Sequence, residues 1–463
     1  MTLGKTGGIF TLLSGAVSIP SVILLLNIMF YSLESALLVT IFALPLLPVL
    51  GYLMNRINLL QYQWVGYLAF YIVVFILLIH NGLLNRINLN KIIIKNKIIK
   101  LLLLFLIMIN IIFAYNKTLS FMIVSLSFVP FIMYFLILKS VEISNKKEFY
   151  NKVIVAFSLG CIISSLPDMI IFIYTWINGN KSIRLFGPLG SNFILVYDLI
   201  MFVIIINKWV RNKEIKSYWT ILVLSLGFIV SMQMSRGALV SFIAIFITYL
   251  IFDSKNWKKY MSVMLVFGTI LTLNVSTRGD ITNDENIKEF GETISSNKFE
   301  HPNEEFFTQG AFGEIIVKVM NSQSRSRQII WKTAISITKD YSATGIGIGN
   351  FKYLFDEYSG TNKGYSDAHN ILLNMSSELG VPFMLLGLLL LIIIGLEALI
   401  TFFKEKDTDK KLKHLSLIII VGVIFLYGNF TGIAFQTTNL IYSFSPTLII
   451  LFILFYRDCL DEF

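Results

Sequence analysis

Long, uninterrupted apolar runs recur along most of the chain. Each is about 20 residues long, enough for a helix to cross a hydrocarbon core of about 30 Å. Because the apolar positions are continuous rather than alternating, they predict helices and not barrel strands. Open sheets are excluded too, since their unpaired backbone groups would lie in lipid. The predicted spans are 8–31, 35–54, 64–83, 98–115, 119–139, 153–177, 191–208, 217–234, 237–252, 258–275, 374–402, 413–434 and 437–456.

The pattern therefore predicts an all-α fold, a polytopic transmembrane helical bundle of twelve or thirteen spans. The count stays open at the amino terminus, because Pro20 interrupts the first segment and one of the first three segments need not cross. With a cytoplasmic carboxy terminus, thirteen spans put Met1 outside and twelve put it inside. No internal repeat is visible.

Composition and charge support this interpretation and set the orientation. The chain is 56% hydrophobic and only 14% charged, with a net charge of +10, whereas soluble domains carry about 25% charged residues. The basic residues cluster in connections that fall on one side, which the positive-inside rule makes the cytoplasm. They form no continuous patch with stacking aromatics, so no nucleic-acid partner is expected. These connections are 86–100, 139–152, 208–216, 255–259 and 404–413.

This orientation divides the chain into three parts: an amino-terminal transmembrane bundle (1–275), an exoplasmic loop (276–373) and carboxy-terminal transmembrane helices (374–463). The loop approaches a hundred residues, far beyond the usual connection of about 4–6. Its stretch "RSRQIIWKTAISITKD" carries Ile329, Ile330, Ala334 and Ile337 at helical spacing. We therefore expect a structured cap, with an amphipathic helix against the outer face of the bundle.

The strongest candidate for chemistry is His369. It alone among the histidines lies where an ordered loop re-enters the membrane from outside. On a continuing helix Asn370, Asn374, Ser377 and Glu378 share one face with it, and that face should point inward, away from lipid. The stripe fits either a buried seam of helix-packing contacts or a catalytic site, in which Asn370 and Glu378 would contact the substrate or its diphosphate. The other histidines are His80, His301 and His414.

Arginines in outer connections favour the catalytic interpretation, since they run against the positive-inside bias. Arg184 lies in "NGNKSIRLFGPLGSN", Arg236 in the tight turn "MSRGA", and Arg325 and Arg327 open the amphipathic helix. Snorkelling to lipid headgroups could account for any one of them. Guanidinium groups also bind phosphate oxygens in a bidentate manner, so a diphosphate at the outer face is the predicted ligand.

The glycine run "GIGIGNF" precedes the histidine by about twenty residues. As a dinucleotide-binding motif it is weak, because its spacing is wrong and no βαβ context precedes it. Gly345 and Gly347 are better explained by a tight turn that brings the cap down onto the spans. Their backbone amides are also candidate phosphate contacts.

These motifs together resemble the O-antigen ligase and polymerase family of bacterial envelope glycosyltransferases. The matching stretches are "RLFGPLGSN", "SRGALVSF", "SRSRQIIW", "GIGIGNF" and "AHNILLNMSSELGVPFMLLG". The resemblance implies a membrane glycosyltransferase C-type fold, an undecaprenyl-diphosphate-linked glycan as donor, and no metal or other cofactor. It makes His369 the base, and Arg236 and Arg327 the diphosphate ligands. Arg184 fits less well, because "GPLGSN" departs from the family's asparagine-proline-asparagine pattern.

The predicted function is a polysaccharide polymerase, a multi-pass enzyme of the bacterial cytoplasmic (inner) membrane with its site on the exoplasmic side. Its partners would be the lipid-linked oligosaccharide, the growing polysaccharide, membrane lipids, and a flippase and chain-length regulator. A ligase that uses lipopolysaccharide core as acceptor is the alternative. Abundant Ile, Asn and Lys, typical of AT-rich genomes, favour the polymerase. A flippase or transporter is the rival from another class, but its ionisable groups would lie near the midplane between repeats.

Overall fold

The computed structural model describes residues 29, 31–46, 72–74, 76–81, 97–124, 146–177, 192–211, 218–232, 236–277, 325–360, 365 and 367–431. Within these residues the chain is helical and contains no strand, in agreement with the predicted all-α class. The helices are α1 (Leu33–Ala43), α2 (Lys97–Ile112), α3 (Lys146–Ile177), α4 (Asn192–Arg211), α5 (Tyr218–Met232), α6 (Arg236–Phe252), α7 (Trp257–Thr277), α8 (Arg325–Asp340), α9 (Phe351–Ser359), α10 (Ile371–Leu379), α11 (Val381–Lys404) and α12 (Thr408–Thr431).

Most predicted spans within the described residues coincide with a helix. The segments 98–115, 153–177, 191–208, 217–234, 237–252, 258–275 and 413–434 correspond to α2, α3, α4, α5, α6, α7 and α12. The segments 8–31, 64–83, 119–139 and 437–456 lie wholly or in large part outside the described residues.

Several of these helices are long and apolar enough to cross a membrane. Among the described residues three qualify singly: Glu148–Leu166, Val381–Lys404 and Lys410–Asn429. A fourth is formed if Gly237–Phe252 and Ser254–Thr272 count as one span; these two helices meet at 109°. The described residues therefore include three or four helices that could cross a membrane, and the count of twelve or thirteen stays a prediction.

The core of the bundle is built around α4. Its side chains Leu199, Met201, Phe202 and Ile205 are fully buried, and it packs against α3, α5 and α12. Lipid removes the hydrophobic driving force between helices, so close packing and interhelical hydrogen bonds hold them together. One such bond joins Asn207 Nδ2 to the Leu412 carbonyl at 2.8 Å.

The described part of the predicted cap has a small core of its own. Ile330, Ala334 and Ile337 of α8 are buried against Phe351 and Phe355 of α9. The amphipathic helix predicted from the sequence is confirmed. Its main neighbours are α9 and α10, so it packs within the cap rather than along the outer face of the bundle.

The predicted span 374–402 is divided in two by Gly380. The polar stripe lies on α10, which is only nine residues long, and the apolar span begins afresh at Val381. The Val381 N–H donates to the Ser342 carbonyl at 2.8 Å, a bond that holds the break against the end of α8. Since α10 also packs against α2, α11 and α12, this short helix connects the cap to the bundle.

Candidate active site

The glycine turn (residues 344–350) connects α8 to α9 and packs closely against α10 and the end of α2. Gly345 and Gly347 have φ of +67° and +95°, a region that side chains rarely adopt. A Cβ at Gly345 would lie 2.3 Å from the Glu378 carbonyl oxygen, and one at Gly347 would lie 2.4 Å from Ala114 Cβ. The predicted role of these glycines in a tight turn is thereby explained.

The amides of these glycines already have partners within the chain. The Gly345 N–H donates to the Tyr341 carbonyl at 2.8 Å, and the Gly347 N–H donates to the Glu378 carbonyl at 2.9 Å. Because both N–H groups donate to carbonyls within the chain, we assign the two glycines a structural role instead of the predicted phosphate contact.

Asn110 of α2 joins the turn to the bundle. Its Nδ2 donates to the carbonyls of Thr344 (2.7 Å) and Glu378 (2.6 Å), and its Oδ1 accepts from the Ile348 N–H at 3.1 Å. The residue is fully buried. Sequence reasoning missed it, although a polar residue inside an apolar membrane helix is itself a signal.

A second polar contact joins the cap to the turn after α2. Asn350 Nδ2 donates to Ser120 Oγ at 2.8 Å, and Ser120 Oγ donates to the Ile348 carbonyl at 2.9 Å. The Asn116 N–H donates to Asn350 Oδ1 at 3.1 Å. Residues 110–120 therefore help to hold the glycine turn beside the candidate site.

Glu378 is buried beneath the glycine turn. Its Oε1 accepts from the N–H of Phe351 at 3.2 Å, and so occupies the position of a cap at the amino-terminal end of α9. Burial raises the pKa of this carboxyl to about 8, against the lowering effect of hydrogen bonds from the Gly349 and Phe351 amides. These contacts favour a positioning role for Glu378 over the predicted contact with diphosphate.

The predicted inward stripe of α10 is confirmed, since Asn374, Ser377 and Glu378 are all buried. Asn370, predicted to contact substrate, serves as the N-cap of α10. Its Oδ1 accepts from the N–H groups of Leu372 (3.0 Å) and Leu373 (3.1 Å), which are among the donors that a helix start leaves unpaired.

His369 lies immediately before this cap, with a side chain that is 35% exposed. Its φ of +50° makes it the one non-glycine residue with positive φ among the described residues. Such strain clusters at functional sites, where surrounding contacts hold it. Its Nδ1 lies 2.6 Å from Asp367 Oδ1, and its N–H donates to the same oxygen at 2.7 Å.

Two charges act on the imidazole. The carboxylate of Asp367 raises the pKa of His369, while burial and the positive charge of Arg327 act in the opposite direction. Arg327 lies on the first turn of α8. Of the predicted arginines, it is the one whose charge acts on the pKa of His369 among the described residues.

The other predicted arginines are located only in part. Arg236 is the first residue of α6, and its side chain lies outside what the structure describes. Arg184 lies wholly outside the described residues. Among the residues that are described, no group of three or more His, Cys, Asp or Glu side chains is arranged to hold a metal ion.

Comparison with known families identifies the segment that holds this site. Residues 220–388 match the family model described as O-antigen ligase. The segment covers 169 of the 463 residues (388 − 220 + 1) and is similar to that family. The match runs from α5 into α11 and includes Arg236, Arg327, the glycine turn and His369, but not the stretch "RLFGPLGSN". The predicted resemblance to this family is confirmed.

The matched segment does not include α2 or the turn after it. Asn110 and Ser120, which bond to the glycine turn, therefore lie in the part of the chain before the matched segment. No curated protein and no solved structure matches the chain. The membrane glycosyltransferase C-type fold accordingly stays a prediction.

Proposed function

We propose that this protein is a polysaccharide polymerase that joins undecaprenyl-diphosphate-linked oligosaccharide repeat units of an O-antigen, capsule or exopolysaccharide. The reaction takes place on the outer face of the bacterial cytoplasmic membrane, needs no metal and inverts the anomeric centre. The observation that carries the proposal is His369, whose backbone is strained and whose imidazole is partly exposed. The charge of Arg327 acts on the pKa of this imidazole. The position of His369 inside the segment similar to the O-antigen ligase family supports the same chemistry.

In the proposed reaction an acceptor hydroxyl attacks the anomeric carbon of the donor. The new glycosidic bond forms as the bond from that carbon to the diphosphate oxygen breaks, and undecaprenyl diphosphate leaves. The hydroxyl proton goes to His369, since a base with a pKa near neutrality suits this step. The leaving diphosphate needs no proton, because fixed arginine charges stabilise the negative charge that develops on it.

Arg327 and Arg236 are the arginines to which we give this role, with Arg184 as a third ligand. Arg327 is placed by the first turn of α8, and Arg236 opens α6 directly after a short connection. A guanidinium can offer two parallel N–H groups to a phosphate, which a lysine cannot. Substitution by lysine should therefore impair the donor step even though the charge is kept.

The second candidate is a ligase that transfers the same glycan to lipopolysaccharide core. The similarity of residues 220–388 to the O-antigen ligase family favours it, whereas the abundance of Ile, Asn and Lys in the chain favours a polymerase. The two enzymes share donor, base and arginines, and they differ only in the acceptor. The acceptor is therefore what the experiment must vary.

The test uses purified protein with a defined undecaprenyl-diphosphate-linked oligosaccharide, with and without lipopolysaccharide core, in the presence of a chelator. A ladder of lipid-linked products supports the polymerase, and a single capped core supports the ligase instead. Loss of activity in chelator would overturn metal independence. Absence of both products would overturn glycosyl transfer and favour the transporter.

The role of His369 is tested by His369→Asn. Asparagine tolerates the left-handed backbone at this position but offers no base of suitable pKa. We expect a folded, membrane-inserted protein whose product formation falls by about 10²–10⁴-fold, the usual contribution of a positioned base. The matched control is His80→Asn, since His80 is exposed and lies on another segment. Wild-type product levels from His369→Asn would contradict the assignment.

A further inference from the structure

The carboxylate of Asp367 contacts His369 and has no role in the reaction proposed above. Its side chain is only 1% exposed, although the imidazole that it contacts is 35% exposed. A single oxygen, Oδ1, lies 2.7 Å from the His369 backbone nitrogen and 2.6 Å from Nδ1 of the ring. One buried atom therefore contacts both the backbone and the side chain of the histidine.

We propose that Asp367 is a positioning residue that holds His369 in the tautomer with its proton on Nδ1, leaving the Nε2 lone pair to take the proton of the acceptor hydroxyl. This inference rests on the proposed glycosyl transfer and adds to it a residue outside the predicted catalytic and diphosphate-binding set. The Nδ1–H donates to the carboxylate, so only Nε2 can accept. After proton transfer the same carboxylate stabilises the imidazolium.

The neighbouring backbone is arranged so that this geometry cannot relax easily. The Ala368 N–H donates to Asn374 Oδ1 at 2.5 Å, and Asn370 caps α10. His369 is thus held between two residues whose polar groups are committed to the start of one helix. This explains how a left-handed conformation is maintained at a residue other than glycine.

The charges that face His369 come from several elements. Arg327 lies on α8 and lowers the pKa of the imidazole. Glu378 lies on α10, where burial first, and the charge of Asp367 in smaller part, favour its protonated form. The Tyr365 ring meets the imidazole edge-on, with centroids 6.4 Å apart. Among these groups, Asp367 supplies the negative charge that favours the imidazolium.

The activity test compares Asp367→Asn with Asp340→Asn. Asparagine keeps an oxygen that can accept the His369 N–H, so the local turn should survive, but the charge is lost. We expect kcat to fall by about tenfold or more, part of what a positioned base contributes. Only neutral imidazole acts as the base, so activity rises with pH through its pKa. Because Asp367 raises that pKa, removing the charge should shift the acid limb of the pH profile to lower pH.

Asp340→Asn is the matched control, because Asp340 is an exposed carboxylate of the same cap whose Oδ2 accepts from Tyr358 at 2.6 Å. It should leave both kcat and the acid limb unchanged. A merely structural role for Asp367 would lower activity without moving the pH limb. The proposal is overturned if Asp367→Asn leaves the limb where it is, whatever happens to kcat.

A second measurement does not depend on turnover. In protein labelled with ¹⁵N-histidine, the His369 signal is assigned by its loss in His369→Asn, and imidazole shifts report the tautomer. The Nδ1–H form is expected in the wild type, with a lower pKa in Asp367→Asn. An Nε2–H wild type would overturn the inference. If the wild type forms no glycan with either acceptor, the proposed function fails, and the tautomer still decides the pairing.

Discussion

Gly345 and Gly347 let the backbone of the cap press against α10 and against the turn after α2. Each combines a positive φ with a neighbouring atom that would lie only 2.3 Å (Gly345) or 2.4 Å (Gly347) from an added Cβ. A side chain at either position meets both a conformational cost and a clash. The absence of a Cβ atom at these two positions thus allows the cap to lie close to α10 and to the turn after α2.

Replacing Gly345 with alanine should destabilise the protein by about 1–3 kcal/mol, the range typical of a residue forced into a rare backbone region. The clash is with a carbonyl of α10, at 2.3 Å, so α10 must shift and activity should fall as well. The measurement is thermal unfolding in detergent together with product formation. Gly422→Ala is the control, because nothing lies within 4 Å of the added Cβ and alanine favours a helix. Equal stability of the two variants would contradict this role for the turn.

At the scale of elements, Asn110 is the polar side chain through which α2 is bonded to the cap, beside the apolar contacts of Ile107 and Ile111. Asn110 bonds to residues more than two hundred positions away, on the glycine turn and on α10. Removing it takes the side-chain partner from the Ile348 amide and the Thr344 carbonyl, at about 1–3 kcal/mol each, whereas the Glu378 carbonyl keeps the Gly347 N–H. One of the elements that position the site therefore lies outside the matched segment.

Asn110→Ala should loosen the cap without unfolding the bundle. We expect faster hydrogen exchange at the amides of Ile346, Gly347 and Ile348. Activity should fall by about tenfold or more, since each increase of about 1.4 kcal/mol in the activation free energy lowers the rate about tenfold. The control is Asn256→Ala, because Asn256 bonds only locally to Asp253 at 2.9 Å. Unchanged exchange in the turn would show that Asn110 does not anchor it.

At the scale of the whole molecule, burial of Glu378 couples stability to pH. The pKa of its carboxyl is about 8 in the folded protein against an ordinary 4.5. Between these values the folded state binds the proton more tightly than the unfolded chain, so stability is lost as pH rises from about 4.5 to about 8. The loss is on the order of a few kcal/mol, because each unit of pKa is about 1.4 kcal/mol.

Glu378→Gln should remove this loss. The amide is a neutral isostere whose oxygen can still accept from the Phe351 N–H, so the variant should unfold at a higher temperature than the wild type above pH 8 and differ little near pH 5. Thermal unfolding across pH 5–9 measures the effect. Glu357→Gln, at an exposed position on α9, should follow the wild-type curve. A Glu378→Gln curve parallel to wild type would argue against the buried protonated acid.

The sequence by itself determined the helical class, the positions of most of the long helices, the buried face of α8 and the candidate histidine. These follow from hydropathy and periodicity, which are local properties that residues carry with them. The motifs around Arg236, Arg327 and His369 were equally visible, because each is a short contiguous stretch, and they led to the family that the comparison confirmed.

Only the tertiary structure decided how these pieces meet. It separated α10 from α11 at Gly380, committed Asn370 and the glycine amides to internal hydrogen bonds, and buried Glu378 under a turn from elsewhere in the chain. It also disclosed Asn110 and the contact of Asp367 with the imidazole. The physical reason is that a hydrogen-bond partner or a pKa depends on which distant groups are brought within a few ångströms, and no local pattern encodes that.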